Sequence, residues 1–158
     1  MMHRSRRTTI TFFVALAWIT SAGCGHKGSE PYTPGLGEIM TLEQMRHSKL
    51  WFAGQARNWD LAAYELKELR EGFADVVKFH PTHEGVPEPL TELLPDIMNP
   101  PIEALDEIIA AKDSGRFASG FDELTNACNG CHEATNFGFN VVQRPSQNPY
   151  TNQVFEPQ

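Results

Sequence analysis

The chain has 158 residues, of which 41% are hydrophobic and 21% charged, and its formal net charge is −7. This length provides one domain with a single hydrophobic core. After position 23 the sequence holds 20 acidic and 10 basic residues, a net charge of −10 for that part. A surface of this sign disfavours binding to nucleic acid or anionic lipid, and it suits a protein partner with a basic docking surface.

The first 23 residues have the order of parts typical of an export signal. Three arginines precede an apolar run at 10–19, and the small residues 21–23 precede Cys24. The apolar run is too short to span a bilayer. The SAGC ending is similar to a bacterial lipoprotein cleavage box, in which the cysteine becomes the lipidated first residue. We therefore predict a periplasmic protein, either anchored through a lipidated Cys24 or simply cleaved.

The pattern of apolar residues after the export signal predicts an all-α fold. Residues 24–40 begin with a stretch rich in glycine, proline and serine, which indicates a flexible tether. Helical periodicity then predicts four amphipathic helices, over 41–57, 60–79, 90–112 and 114–132. Short links between them predict an antiparallel four-helix bundle over residues 41–136, followed by an irregular tail at 137–158.

Two local signals refine the helix boundaries. Thr41 and Gln44 have the spacing of a capping box, which places the start of the first helix at Thr41. Pro100 and Pro101 interrupt the third helical pattern and predict a kink or a division into two short helices.

The stretch CNGCH, from Cys128 to His132, has the C-x-x-C-H pattern of c-type haem attachment. In such a motif two thiols add to the vinyl groups of one porphyrin, and the adjacent histidine becomes the proximal iron ligand. Cys128 and Cys131 continue the apolar stripe of the fourth helix, so both face the predicted core. A buried position is what a large, flat hydrophobic group requires. The sequence therefore predicts one covalent haem c, held by Cys128, Cys131 and His132.

Other uses of the cysteine pair fit less well. A zinc knuckle needs four ligands, and no second cysteine pair is present. A thioredoxin-like dithiol lies at the start of a helix that follows a strand, whereas this pair lies near a helix end. A disulfide across two residues would leave His132 without a role. A non-haem dithiol on a structural envelope module remains the alternative from another class of protein.

A helical bundle with C-x-x-C-H on its last helix resembles the class II cytochromes c, the cytochrome c-prime group. The resemblance covers about residues 41–136. It implies thioether bonds at Cys128 and Cys131, His132 as the proximal ligand, and a sixth iron position that is open or filled from the first helix. That family usually has an aromatic and a basic residue where this chain has Thr135 and Asn136, and it ends soon afterwards.

No methionine or histidine follows His132, so a side chain of either type that fills the sixth iron position has to come from an earlier residue. His47 is the candidate, because it shares a helix face with the apolar residues Leu50 and Trp51. An empty sixth site and several other side chains remain open: Met40, Met45, Met98, His80 and His83. A six-coordinate iron predicts electron transfer, whereas an empty site predicts binding of NO or CO. The acidic helix residues are interpreted as a solvated surface, so no enzyme activity is predicted.

Overall fold

A computed structural model describes residues 31–158; the predicted export signal, Cys24 and the first part of the predicted tether lie outside the described residues. In the described range the chain forms four helices and no strand, which confirms the all-α class. The helices are α1 (Leu36–Gln55), α2 (Trp59–Phe79), α3 (Leu90–Ala110) and α4 (Phe117–Ala134). Within these residues no helix combines the length and the apolar character that crossing a membrane demands.

The start of α1 differs from the prediction. The helix begins at Leu36 with Gly35 as its N-cap, so residues 36–40 belong to the helix and not to a tether. Thr41 lies inside the helix, where its hydroxyl donates a hydrogen bond to the Gly37 carbonyl at 2.8 Å. The capping-box interpretation is therefore wrong. Burial of Ile39 in the core stabilises the first turn of α1, which has no side-chain cap. This packing of an apolar side chain outweighs the weak helix propensity of the nearby glycines.

Helix α3 is continuous although three prolines, at 95, 100 and 101, lie inside it. The predicted division into two short helices is therefore wrong. Each proline removes the N–H that would bind the carbonyl four residues earlier. Two of those carbonyls belong to the exposed residues Thr91 and Asp96, where water can take the place of the missing donor. The opposite face holds the helix against the core through its buried side chains, Leu94, Met98, Ile102, Leu105 and Ile109.

Three of the helices end in a residue with a left-handed backbone conformation. These residues are Arg57 (φ 57°), Lys112 (φ 54°) and Asn136 (φ 66°), after α1, α3 and α4 respectively. Just after α4, the N–H of Phe137 donates a hydrogen bond to the His132 carbonyl at 2.6 Å, and the N–H of Asn136 donates one to the Glu133 carbonyl at 3.3 Å. This is the hydrogen-bond pattern of a Schellman motif. It reverses the chain directly after the C-x-x-C-H motif.

The tail then runs back along α4, and we call residues 140–144 the return segment. Every second residue of this segment contacts α4, the spacing of an extended chain. Asn140, Val142 and Arg144 contact His132, Asn129 and Asp122 in turn. The tail has no helix or strand, as predicted, yet it packs on the bundle. Phe155 is buried, and its ring lies 5.6 Å from that of Phe52 on α1.

An aromatic layer joins α1 to α4. Trp51 of α1 lies 5.0 Å from the ring of Phe121 and 6.1 Å from that of Phe117. Gly54 faces the Phe117 ring so closely that a Cβ atom at position 54 would overlap it. The group that approaches position 54 is therefore the Phe117 side chain of α4.

Replacing Gly54 with alanine should therefore destabilise the fold. Overpacking against the buried Phe117 ring is expected to lower the free energy of unfolding by about 2 kcal/mol. Gly37 is exposed on the same helix, with no atom within 4 Å of its would-be Cβ. Gly37→Ala is expected to raise the free energy of unfolding by about 0.5–1 kcal/mol through helix propensity. Urea unfolding followed by circular dichroism measures both, and stabilisation by both alanines would contradict the close approach.

Candidate functional site

The last two turns of α4 bring Cys128, Cys131 and His132 together on the wall of a cavity. Both cysteines are free thiols; Cys131 is buried, and Cys128 and His132 are half-buried. All three line a small cavity of about 60 Å³. Cys131 and His132 also line a larger one of about 400 Å³. The structure thus places the three residues of the motif at one site.

The two cavities are neighbours, because they share lining residues from α1, α3, α4 and the return segment. The larger cavity falls within the size range of small-molecule sites, about 300–1,000 Å³. Its wall is mainly apolar and includes Leu36, Met40, Val76, Val86, Leu90 and Leu94. A porphyrin is a flat, largely hydrophobic group, so the chemistry of this wall fits it.

The imidazole of His132 is held in one tautomer. Its Nδ1 lies 2.6 Å from the carbonyl oxygen of Asn140, in the return segment. A carbonyl only accepts hydrogen bonds, so Nδ1 carries the proton and Nε2 keeps its lone pair. Histidines that bind metals commonly donate their other ring N–H to a carbonyl, which fixes the ring and raises its basicity. This hydrogen bond leaves Nε2 of the neutral imidazole free to bind a metal.

Both thiols are held in the neutral form. Burial raises the pKa of Cys128 to about 12, and the neighbouring Cys131 and Glu43 raise it further. Burial also raises the pKa of Cys131. Reactive redox dithiols instead need a lowered pKa, which a helix N-terminus provides. These thiols lie near the C-terminal end of α4, where the helix dipole disfavours a thiolate. This environment argues against a thioredoxin-like role.

The described residues 31–158 hold no cluster of metal-ligand side chains. No three side chains of histidine, cysteine, aspartate or glutamate lie together there as metal ligands would. A structural zinc site normally needs four such ligands.

His47 lies on α1 beside the small cavity, but its Nε2 already has a partner. That nitrogen is 2.8 Å from the hydroxyl oxygen of Thr125 on α4. The Thr125 hydroxyl donates its own proton to the Phe121 carbonyl at 2.9 Å, so Nε2 of His47 is the donor in the bond between them. Burial lowers the pKa of His47 to about 4, which keeps the ring neutral at physiological pH. No sequence pattern pointed to Thr125.

The other candidates for the sixth iron ligand differ in whether they line the two cavities. Met40 lines both cavities together with His132. His83 lines only the larger cavity, where its ring lies 5.9 Å from that of Phe137. His80 is bound through Nε2 to the Pro34 carbonyl at 2.8 Å. Met45 and Met98 are on neither lining.

Glu43 is a site residue that the sequence interpretation missed. It is only 7% exposed, and its Oε2 has no hydrogen-bond partner among the described residues. Burial raises the pKa of this carboxyl to about 8, with Arg46 opposing the shift and the charges of Glu68 and Asp75 adding to it. The carboxyl is thus mostly protonated at neutral pH. Its position four residues before His47, on the same helix face, is the signal that could have identified it.

Comparison with known proteins finds no match to a protein-family model, a curated protein or a solved structure. The function is therefore inferred from the site itself: two neutral thiols on the wall of an apolar cavity, beside an imidazole whose free Nε2 can bind a metal.

Proposed function

We propose that this chain is an exported monohaem c-type cytochrome that acts in electron transfer. The observation that carries the proposal is the hydrogen bond from His132 Nδ1 to the Asn140 carbonyl, next to two free cysteines on the same cavity wall. This combination provides thioether attachment and a correctly protonated axial ligand at one place. The export signal predicted in the sequence supports a periplasmic location, with a lipid anchor at Cys24 as a further possibility to test.

The residues of the site have separate roles in this proposal. Cys128 and Cys131 would hold a haem through thioether bonds to its two vinyl groups. Nε2 of His132 would be its iron ligand, and the apolar wall would exclude water. A bound haem would supply a one-electron Fe(III)/Fe(II) couple. His132 is half-buried and the nearby Phe139 is 83% exposed, so a redox partner can approach the site closely. The negative net charge suits a basic docking surface on that partner.

We further propose the antiparallel bundle as the arrangement of the four helices. Along α1 and α4, contacting residues advance in opposite directions: His47 with Thr125, Trp51 with Phe121, and Gly54 with Phe117. The same reversal relates α1 to α2, where Arg46 pairs with Glu65 while Glu43 lies against Gly72. Such a bundle places the start of α1 beside the end of α4, which is where the larger cavity lies.

Two measurements on protein matured in a periplasm with cytochrome c assembly test the proposal. Intact-mass analysis under denaturing conditions should show one haem added covalently, and a pyridine haemochrome spectrum should identify it as haem c with two thioether bonds. A chain of unmodified mass would overturn the proposal and would leave the non-haem dithiol module as the explanation of the motif.

The sixth iron ligand is expected to come from α1. His47 donates its Nε2 proton to Thr125, which leaves only Nδ1 for a metal, and it lines only the small cavity, whereas Met40 lines both cavities beside His132. We therefore expect a low-spin ferric spectrum that Met40→Ala converts to high spin and that His47→Ala leaves low spin. Absorption and EPR spectra of the three proteins measure this. Loss of the low-spin signal in His47→Ala alone would assign the ligand to His47.

The second candidate function is binding of NO or CO at a five-coordinate iron. The observation in its favour is the hydrogen bond of His47 Nε2 to Thr125, which takes up one of the two ring nitrogens that could bind the iron from α1. In that case the unmodified protein is high spin in both oxidation states, and the ferrous form binds CO with a large change in absorption. A low-spin ferrous protein that does not react with CO favours electron transfer.

A further inference from the structure

We infer that Asn129, the first variable residue of the C-x-x-C-H motif, is a positioning residue for His132 and acts through the return segment. The inference rests on the proposed function, because it concerns the ligand that would bind the haem iron. It assigns a role to a tail that bundle architecture alone does not require.

The side-chain amide of Asn129 forms a reciprocal pair of hydrogen bonds with the backbone of Val142. Its Nδ2 donates to the Val142 carbonyl at 2.9 Å, and its Oδ1 accepts from the Val142 N–H at 2.8 Å. An amide side chain can donate to and accept from a single residue in this way because its NH2 group and its oxygen lie side by side. The pair fixes both the position and the orientation of the extended backbone at Val142.

This clamp lies two residues after the carbonyl that binds His132. On its other side, Asn140 follows the Schellman turn at Asn136, and its N–H donates to the Phe137 carbonyl at 2.8 Å. The Asn140 carbonyl is therefore held between a fixed turn and a fixed clamp. The strength of the 2.6 Å hydrogen bond falls steeply when its acceptor moves. The clamp between Asn129 and Val142 therefore determines whether His132 Nδ1 keeps the Asn140 carbonyl as its acceptor.

A second anchor holds the far end of the return segment. Arg144 forms a two-point ion pair with Asp122, with its Nε 3.0 Å from Oδ1 and its Nη2 on Oδ2. Its guanidinium also lies 4.5 Å from the Trp51 ring. Both anchors on α4 are exposed or half-buried, so neither is a core-packing requirement. Their effect is to hold the backbone of the return segment against the helix that carries the motif.

The bond to Nδ1 has a consequence for the iron. A carbonyl acceptor increases electron donation from Nε2 to a bound metal, which stabilises Fe(III) relative to Fe(II). Loss of the clamp is therefore expected to move the midpoint potential of the bound haem to a more positive value while the covalent attachment persists. A residue with a merely structural role would change stability without this shift.

The test uses matured, haem-loaded protein with three variants. Asn129→Ala removes the clamp, and Asn126→Ala, an exposed amide one turn earlier on α4, is the matched control. Val142→Pro removes the N–H that donates to Asn129 and leaves the motif itself intact. Haem content, midpoint potential by redox titration, and amide hydrogen exchange in residues 140–144 are measured for each.

Asn129→Ala and Val142→Pro are expected to retain haem, to exchange faster in the return segment, and to share a positive shift in potential that Asn126→Ala lacks. If either haem-loaded variant keeps the potential of the control, the inference is wrong even though the cytochrome assignment holds. If the unmodified chain takes up no haem, the proposed function fails instead. The exchange rates then still report whether Asn129 holds the return segment.

Discussion

The double variant Cys128→Ala/Cys131→Ala is expected to carry no covalent haem at all. Both thioether bonds need these sulfur atoms, and the described residues contain no other cysteine. Alanine keeps the positions apolar, so the helical fold is expected to survive and the loss to be chemical rather than structural. Intact mass and haem-stained denaturing gels of protein from the same periplasmic expression measure the effect.

Two matched comparisons make this prediction specific. Cys24→Ala removes the third cysteine of the chain and is expected to leave haem attachment unchanged, because Cys24 lies outside the motif. Each single variant, Cys128→Ala or Cys131→Ala, is expected to retain at most one thioether. Its haemochrome absorption band should then lie at longer wavelength, since one vinyl group stays conjugated. Covalent haem in the double variant would refute the role of the pair.

Glu43 is expected to make the fold less stable as the pH rises from about 5 to 8. The folded carboxyl has a pKa of about 8 because of burial, against 4.5 for the exposed group. Between these values the folded state holds a proton that the unfolded state has lost, so raising the pH favours unfolding. One pKa unit corresponds to about 1.4 kcal/mol, which makes an expected loss of about 3 kcal/mol over this range.

Glu43→Gln should remove this dependence, since the amide stays neutral at every pH. The two proteins are expected to have similar pH responses below about pH 4.5 and to diverge above it, with the variant relatively more stable at pH 8. Glu123→Gln changes an exposed carboxyl on α4 and serves as the control. Urea unfolding at several pH values gives the slopes. Parallel curves for the unmodified protein and Glu43→Gln would show that the buried carboxyl ionises freely.

The sequence was sufficient for the class of fold and the approximate helices, because the period of apolar residues depends only on which face is buried. It was insufficient at the start of α1 and across α3. There, packing of Ile39 and of the apolar face opposite the prolines decides the outcome, and such packing depends on residues distant in the chain. Arg57 and Lys112 also end helices without the glycine that usually marks such a position.

The same distinction applies to the candidate site. The positions of Cys128, Cys131 and His132 follow from local geometry, since three residues within five must lie together on one helix. The residues that support them come from elsewhere in the chain: Glu43 and His47 from α1, Asn140 from the tail. A single sequence contains no record of these contacts. Asn129 is within the motif, yet its role depends on Val142 and could not be read from the spacing.

The order of the chain has a consequence for how this protein is made. Synthesis proceeds from the N-terminus, so the cavity residues of α1 are made before the cysteines, and the return segment is made after them. A nascent chain that has reached Thr135 already contains both thiols and His132, but it lacks the Asn140 carbonyl that fixes the imidazole. If haem is attached as proposed, its capture by the thiols and the alignment of His132 by Asn140 are therefore separable stages of maturation.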